Sequence, residues 1–227
     1  MSLKQLVFGA AMVFSFPAFA QQSQPAADVN EKSMPVQAQQ LELAGQLVKY
    51  GYQTKTALPL IQAVDIFKKL NVTEITPESP KSQTGTEITS NLTKSDLVSF
   101  DEKQILADAT KYADGNKTLL ALIKDAEKST RGVVTGPKRI TDRVEAGRTD
   151  VWKFTFRGGE EAIVMVIGDG DTDLDLYIYD ENGNLIDSDT DPDDNCICTF
   201  TPRWTGPFTI KIVNRGRVYN RYVLITN

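Results

Sequence analysis

Two hydrophobic periods divide this chain. Up to about residue 130 the apolar residues recur at helical spacing, and beyond Arg131-Gly132 they alternate. In the first part Leu43, Leu47 and Tyr50, beside Ala44 and Val48, predict a helix from about Val36, with Gly51 expected to break it. Leu60, Ile61, Val64 and Phe67 form one stripe and predict a second helix over 59–70, with Pro59 in its first turn. Ser99-Phe100-Asp101-Glu102 has the spacing of a capping box and starts a third helix that runs to about Tyr112. Asp114-Gly115-Asn116 reads as a turn, and Leu119, Leu120, Ile123 and Ala126 line a fourth helix over 117–128. Residues 36–130 therefore read as a small bundle, whose stripes must be buried for such short helices to persist. Residues 71–98, mostly Thr, Ser, Pro, Glu and Lys, read as a long exposed loop within it.

In the second part, 133–227, short strands are separated by Gly, Asn and Asp. Strands are expected at Val151 to Phe156, Ala162 to Ile167, Leu174 to Tyr179, Phe208 to Val213 and Tyr219 to Ile225, with Asp180-Glu181-Asn182-Gly183-Asn184 as a hairpin turn. The fold class is α+β in two parts, a helical bundle followed by an all-β antiparallel sandwich.

The N-terminus changes the compartment. Lys4, the apolar run from Leu6 to Phe16 and Ala18-Phe19-Ala20 predict a signal peptide over 1–20, with cleavage near Ala20 and a periplasmic or secreted product. The apolar run is short for a membrane span, and no later stretch is apolar enough for one. Residues 21–35, rich in Gln, Ser, Pro and Ala, read as a flexible leader.

Charge and composition narrow the chemistry. The 227 residues contain no histidine, which excludes a Ser-His-Asp triad, a Cys-His pair and any His-containing zinc site. Residues 1–132 hold 14 acidic and 14 basic side chains, so the net charge of −5 resides in 133–227, with 16 acidic and 11 basic. An acidic balance of this kind argues against a nucleic-acid partner.

Ten Asp and one Glu, with no Lys or Arg, lie within 169–202. Asp169, Asp171, Asp173 and Asp175 share strand parity, as do Asp187, Asp189, Asp191 and Asp193. A two-residue turn would put Ile178 opposite Asp187 and mix core with solvent. A three-residue loop with Gly183 left-handed pairs Ile178 with Ile186, Asp175 with Asp189 and Asp173 with Asp191, and is the preferred register. Like charges face to face on a sheet are destabilising. Two explanations stand side by side: a Ca²⁺ ion held by Asp171, Asp173, Asp175, Asp189 and Asp191, or neutralisation by Arg143, Arg148 or Arg157. The spacing is not that of an EF-hand.

Cys196 and Cys198 are a candidate disulfide that export would permit, although a regular strand holds residues i and i+2 near the upper limit of bridging distance. Trp204, Phe208, Tyr219 and Tyr222 are either sandwich core or an aromatic binding face, core being the commoner use of such residues.

Three stretches carry a family resemblance: Asp150-Val151-Trp152-Lys153-Phe154-Thr155-Phe156, then 171–180 (Asp-Thr-Asp-Leu-Asp-Leu-Tyr-Ile-Tyr-Asp), then Gly206-Pro207-Phe208-Thr209-Ile210-Lys211-Ile212. Together, over about 140–227, they resemble the bacterial pre-peptidase C-terminal domain. The resemblance implies a jelly-roll-like β-sandwich from an exported protein, calcium in some members, and collagen or polysaccharide binding in related domains. The chain carries no recognisable peptidase domain, so the family's protease association does not transfer. The expectation is an exported, non-catalytic accessory protein whose sandwich engages a protein, glycan or surface. The alternative is a carboxylate-dependent hydrolase of the cell envelope.

Overall fold

A computed structural model describes residues 25–29, 34–77, 80–90, 92, 94, 98–128 and 136–227. The expected signal peptide lies outside the described residues. Four helices, α1 (Val36–Thr54), α2 (Ala57–Lys69), α3 (Glu102–Tyr112) and α4 (Lys117–Lys128), precede most of the strands. The expected two-part architecture of helices followed by an antiparallel-rich sandwich is present. No helix among the described residues is long and apolar enough to cross a membrane.

The helix boundaries show where local signals mislead. α1 runs through Gly51, and Leu43 and Tyr50, placed on its apolar stripe above, are exposed. Its buried face is Ala38, Leu41, Ala44, Gly45, Val48, Gly51 and Tyr52. Gly51 is a contact point: a Cβ there would lie 2.6 Å from Leu60 Cδ2 of α2. Gly45 does the same towards the sheet, since its Cβ would lie 2.6 Å from Ile167 Cγ2. The helix stops only at Lys55, which takes the left-handed conformation at φ 52°. The cap of α3 is Asp101 rather than Ser99. The Asp101 side chain accepts from the Gln104 amide, and Ser99 Oγ accepts from the Asp101 amide.

Eleven strands are described: β1 (Ala27–Val29), β2 (Thr73–Glu74), β3 (Ser82–Thr84), β4 (Lys138–Val144), β5 (Thr149–Phe156), β6 (Ala162–Gly168), β7 (Leu174–Tyr179), β8 (Leu185–Asp189), β9 (Asn195–Pro202), β10 (Gly206–Asn214) and β11 (Asn220–Thr226). They form a six-stranded sheet, β1-β9-β6-β11-β4-β2, and a five-stranded sheet, β3-β5-β10-β7-β8. Two expectations are corrected here. The leader contributes β1, which pairs with β9, and buries Ala26 and Ala27 in the sandwich. The 71–98 segment contributes β2 and β3, one edge strand to each sheet, instead of a free loop.

The core is double. Between the sheets, Trp152, Phe156, Phe200, Phe208 and Tyr222 pack with aliphatic residues of both inner faces. On its other side the six-stranded sheet presents Ile163, Met165, Ile167, Val223 and Ile225 to the four helices, in one cluster with Leu41, Val48, Leu60, Phe67 and Ile105. All seven residues of β6 are therefore buried, which is why its sequence is a continuous apolar run. The helices and the sandwich share one hydrophobic interior, and among the described residues no helix covers the outer face of the five-stranded sheet.

The β7–β8 hairpin combines both candidate registers. Gly183 is left-handed at φ 81°, and the Asp180 amide donates to Asn184 O, as the three-residue loop requires. Tyr179 pairs with Leu185, but the register then shifts, so that Ile178 faces Asp187 and Leu176 faces Asp189. The stacked pairs Asp175–Asp189 and Asp173–Asp191 do not form. The reason lies across the sandwich, at β9.

Candidate functional site

β1 covers β9 only at Phe200, Thr201 and Pro202. The next amides along that edge, Thr199 and Ile197, donate to Asp187 (3.1 Å) and Asp189 (2.8 Å) of β8. The bulge keeps Ile186 inside and turns these two carboxylates inward along the sandwich edge. Unpaired strand amides are a liability, and side-chain acceptors block the edge against further pairing. Face hydrophobicity argued for the other register, and satisfaction of an open edge overrode it.

At the end where β6 leads into β7 and β8 into β9, the remaining aspartates meet cations and amides. Asp194 binds Lys49 Nζ of α1 at 2.5 Å and Asn220 Nδ2 at 3.1 Å, and also accepts from the Gly170 amide. Lys49 Nζ reaches Asn195 Oδ1 as well, at 2.8 Å. Asp169 binds Lys94 Nζ and the Arg221 amide, and Lys94 lies 3.3 Å from Asp171. Burial raises the Asp169 carboxyl above its ordinary value, and Lys94 and Arg221 lower it only in part. Asp180 is the hub of the hairpin. It accepts from the Asn182 and Asn184 amides, Asn184 Nδ2 and, from the N-terminal strand, the Ala26 amide at 3.0 Å. Burial works to raise its carboxyl, but these hydrogen bonds outweigh it and hold the net value below the ordinary one.

A fourth aspartate is buried between the sheets. Asp150 accepts from Lys81 Nζ (2.8 Å), Gln83 Nε2 (2.7 Å) and Tyr222 Oη (2.8 Å), and Tyr222 Oη accepts from Trp152 Nε1 (2.9 Å). Lys81 also bridges to Asp142 at 2.7 Å. Burial, with the Asp150 charge beside it, pushes the Tyr222 hydroxyl well above its ordinary value. Asp150, Asp169, Asp180 and Asp194 thus each accept from a residue in the first 94. The cations are Lys49, Lys81 and Lys94, not the arginines of the sequence-based alternative. None of the three was marked in the sequence; in the structure Lys49 follows Gly45 by four residues, on the side of α1 that faces the sheet.

The five carboxylates expected to hold calcium are not brought together. Asp171 neighbours Lys94; Asp175 binds Arg215 at 2.5 Å and accepts from Tyr177 Oη at 3.0 Å. Asp189 accepts from Ile197 and Asp191 amides, Asp191 is exposed, and Asp173 keeps one buried oxygen without a partner. Burial, then the Asp175 charge, raises the Asp173 carboxyl. Among the described residues no group of three or more His, Cys, Asp or Glu is arranged to hold a metal ion. Asp171, Asp175 and Asp189 already serve cations or amides, and the five side chains do not converge as a calcium site requires.

The expected Cys196–Cys198 bridge is corrected: both thiols are free and buried. β9 runs against β6 in unbroken register, with Cys196 opposite Val166 and Cys198 opposite Val164, and lacks the bulge a bridge would need. Cys196 Sγ donates to Leu174 O at 3.0 Å. Burial, with Asp187 and Asp189 nearby, raises both thiols far above their ordinary values, so they are inert. Of the aromatics singled out, Phe208 and Tyr222 are core, Trp204 is exposed and donates to Glu181, and Tyr219 lies 4.4 Å from Lys94 Nζ.

A different set of aromatics faces outward. On the open side of the five-stranded sheet, Lys153, Thr209 and Tyr179 form one cross-strand row, and Val151, Lys211 and Tyr177 form the next. The Tyr177 and Tyr179 rings stack at 6.5 Å and 27°, with Lys211 Nζ 4.4 Å from the Tyr179 ring. Thr155 and Ser188 add exposed hydroxyls. The carboxylate on this face, Asp175, is neutralised by Arg215.

No family model matches the chain, and no curated protein matches it. Among solved structures it is similar to the pre-peptidase C-terminal domain of a collagenase from Bacillus anthracis, at 14% identity over 39% of this chain and 87% of that one, with a TM-score of 0.33.

Proposed function

We propose that the chain is an exported, non-catalytic binding protein of the pre-peptidase C-terminal type, and that the open face of its five-stranded sheet engages a polysaccharide or protein of the cell envelope. The observation that carries this reading is the face that the described residues leave uncovered. Helices cover one side of the sandwich, while the other presents stacked tyrosines, hydroxyls and two lysines. Aromatic rings offer apolar area that is already ordered, and hydroxyls and ammonium groups supply polar contacts beside it. A flat, hydroxyl-rich surface suits a polysaccharide in particular. The non-catalytic reading rests on the carboxylates: those a hydrolase would need are occupied by lysines, Arg215 and backbone amides.

The test is retention of the mature protein on insoluble peptidoglycan and on alginate beads. The Tyr177→Ala/Tyr179→Ala variant is expected to lose at least about tenfold in affinity, as central aromatic anchors do, with an unchanged melting temperature. Failure to bind either material overturns the polysaccharide reading, and binding indifferent to these substitutions overturns the role of this face.

A further inference from the structure

We infer that the acidic sandwich carries its own counter-cations: Lys49, Lys81 and Lys94 do the neutralising work of a bound metal ion, and the fold is independent of calcium because of them. Three carboxylates of the sandwich, Asp150, Asp169 and Asp194, are buried. Each meets one ammonium group, and each ammonium group arrives from the N-terminal half, 69, 75 and 145 residues away in sequence. Each also touches a second oxygen: Lys81 at Asp142, Lys94 at Asp171 and the Tyr219 carbonyl, Lys49 at Asn195. An ammonium point charge held by two or three oxygens offsets carboxylate charge as a hard cation would, with fewer ligands than such a cation takes. Here the charge is covalently attached, so it cannot be chelated away or diluted.

Asp169 and Asp194 of the acid-rich stretch, and Asp150 before it, therefore take ammonium groups in place of a metal ion. A buried carboxylate needs a positive partner or several hydrogen-bond donors, since an uncompensated buried charge is strongly unfavourable; Asp180 has amides and Asp175 has Arg215, and these three have lysines. The chain supplies them from α1 and at Lys81 and Lys94, with Lys81 standing beside the edge strand β3. The helical half thus serves the sandwich as counter-ion as well as cover.

The experiment is a melting series on the full mature protein in millimolar calcium, in magnesium and in chelator. The three curves are expected to superimpose; a rise of several degrees in calcium alone overturns the inference. A second arm separates the counter-ion from mere packing. Lys81→Met removes the ammonium and keeps the stem, and is expected to lower the melting temperature by about 10 °C, from the cost of an orphaned buried charge in a protein of this size. Lys81→Met/Asp150→Asn removes the pair and is expected to recover more than half of that loss. If Lys81→Met does not fold, folding of the double variant carries the same meaning. A double variant no better than the single one overturns the inference, because lost packing would not be relieved by removing the partner's charge.

Discussion

Asp180 shows how much one side chain in a five-residue turn can hold. It closes the β7–β8 loop through Asn182 and Asn184 and ties down the N-terminal strand through Ala26. Asn at this position keeps one acceptor oxygen and loses the other, so Asp180→Asn is expected to destabilise by about 1–3 kcal/mol, read from urea midpoints at pH 7. The pH dependence has a definite sign. Because its folded carboxyl is held below the ordinary value, Asp180 contributes stability that is present above the unfolded value and lost as pH falls through the folded one. Asp169, Asp173 and Asp187 behave oppositely: burial raises them, so their contribution is complete below the unfolded value and lost as pH rises through the folded one. Descending from neutrality, the wild type should hold or gain stability first and decline only below about pH 4, near the ordinary carboxylate range. Asp180→Asn should flatten that last decline. The turn itself was legible in the sequence, because Asn-Gly and a left-handed glycine are local chemistry. The pairing of Asp180 with Ala26 was not, because nothing within the turn points 154 residues back.

Elements were legible where one physical demand dominated. β7 matches its expected span, since alternation and burial agree there. α4 matches as well, with Asn116 accepting from the Thr118 and Leu119 amides at its start. The errors fall where two demands compete. Gly51 reads as a breaker by propensity, but the close approach of α2 requires its missing side chain. β8 was assigned a register by face hydrophobicity, but the open amides of β9 needed acceptors and drew Asp187 and Asp189 inward. The prediction at this scale concerns that edge. Asp187→Ala/Asp189→Ala should speed amide hydrogen exchange at Thr199 and Ile197, lower stability by about 1–3 kcal/mol per orphaned amide, and favour edge-to-edge association visible by size-exclusion chromatography. Unchanged exchange at both amides would remove the capping role.

For the whole molecule, the change of period near residue 132 marks where secondary structure switches, while the core crosses it. The outer face of the six-stranded sheet and the helices share one cluster, and four buried aspartates accept from the N-terminal half. A fragment 133–227 is therefore expected to be unfolded or molten at 25 °C by near-ultraviolet circular dichroism. It exposes Ile163, Met165, Ile167, Val223 and Ile225 and leaves Asp150, Asp169 and Asp194 without their lysines. A cooperative melt of that fragment would contradict the shared core. The division into helical and strand regions could be read from periodicity, but contact between them could not, because hydrophobic pattern states which face is buried and not against what.

The position of β11 in the sheet has a consequence for biosynthesis. Asn220–Thr226 forms the strand between β6 and β4, so the six-stranded sheet lacks its middle until residues this late in the chain emerge from the ribosome. Long-range pairing of that kind delays folding and keeps the nascent polypeptide open. Until β11 is available, β6 and β4 have no strand between them, so their sheet stays open although both are already made.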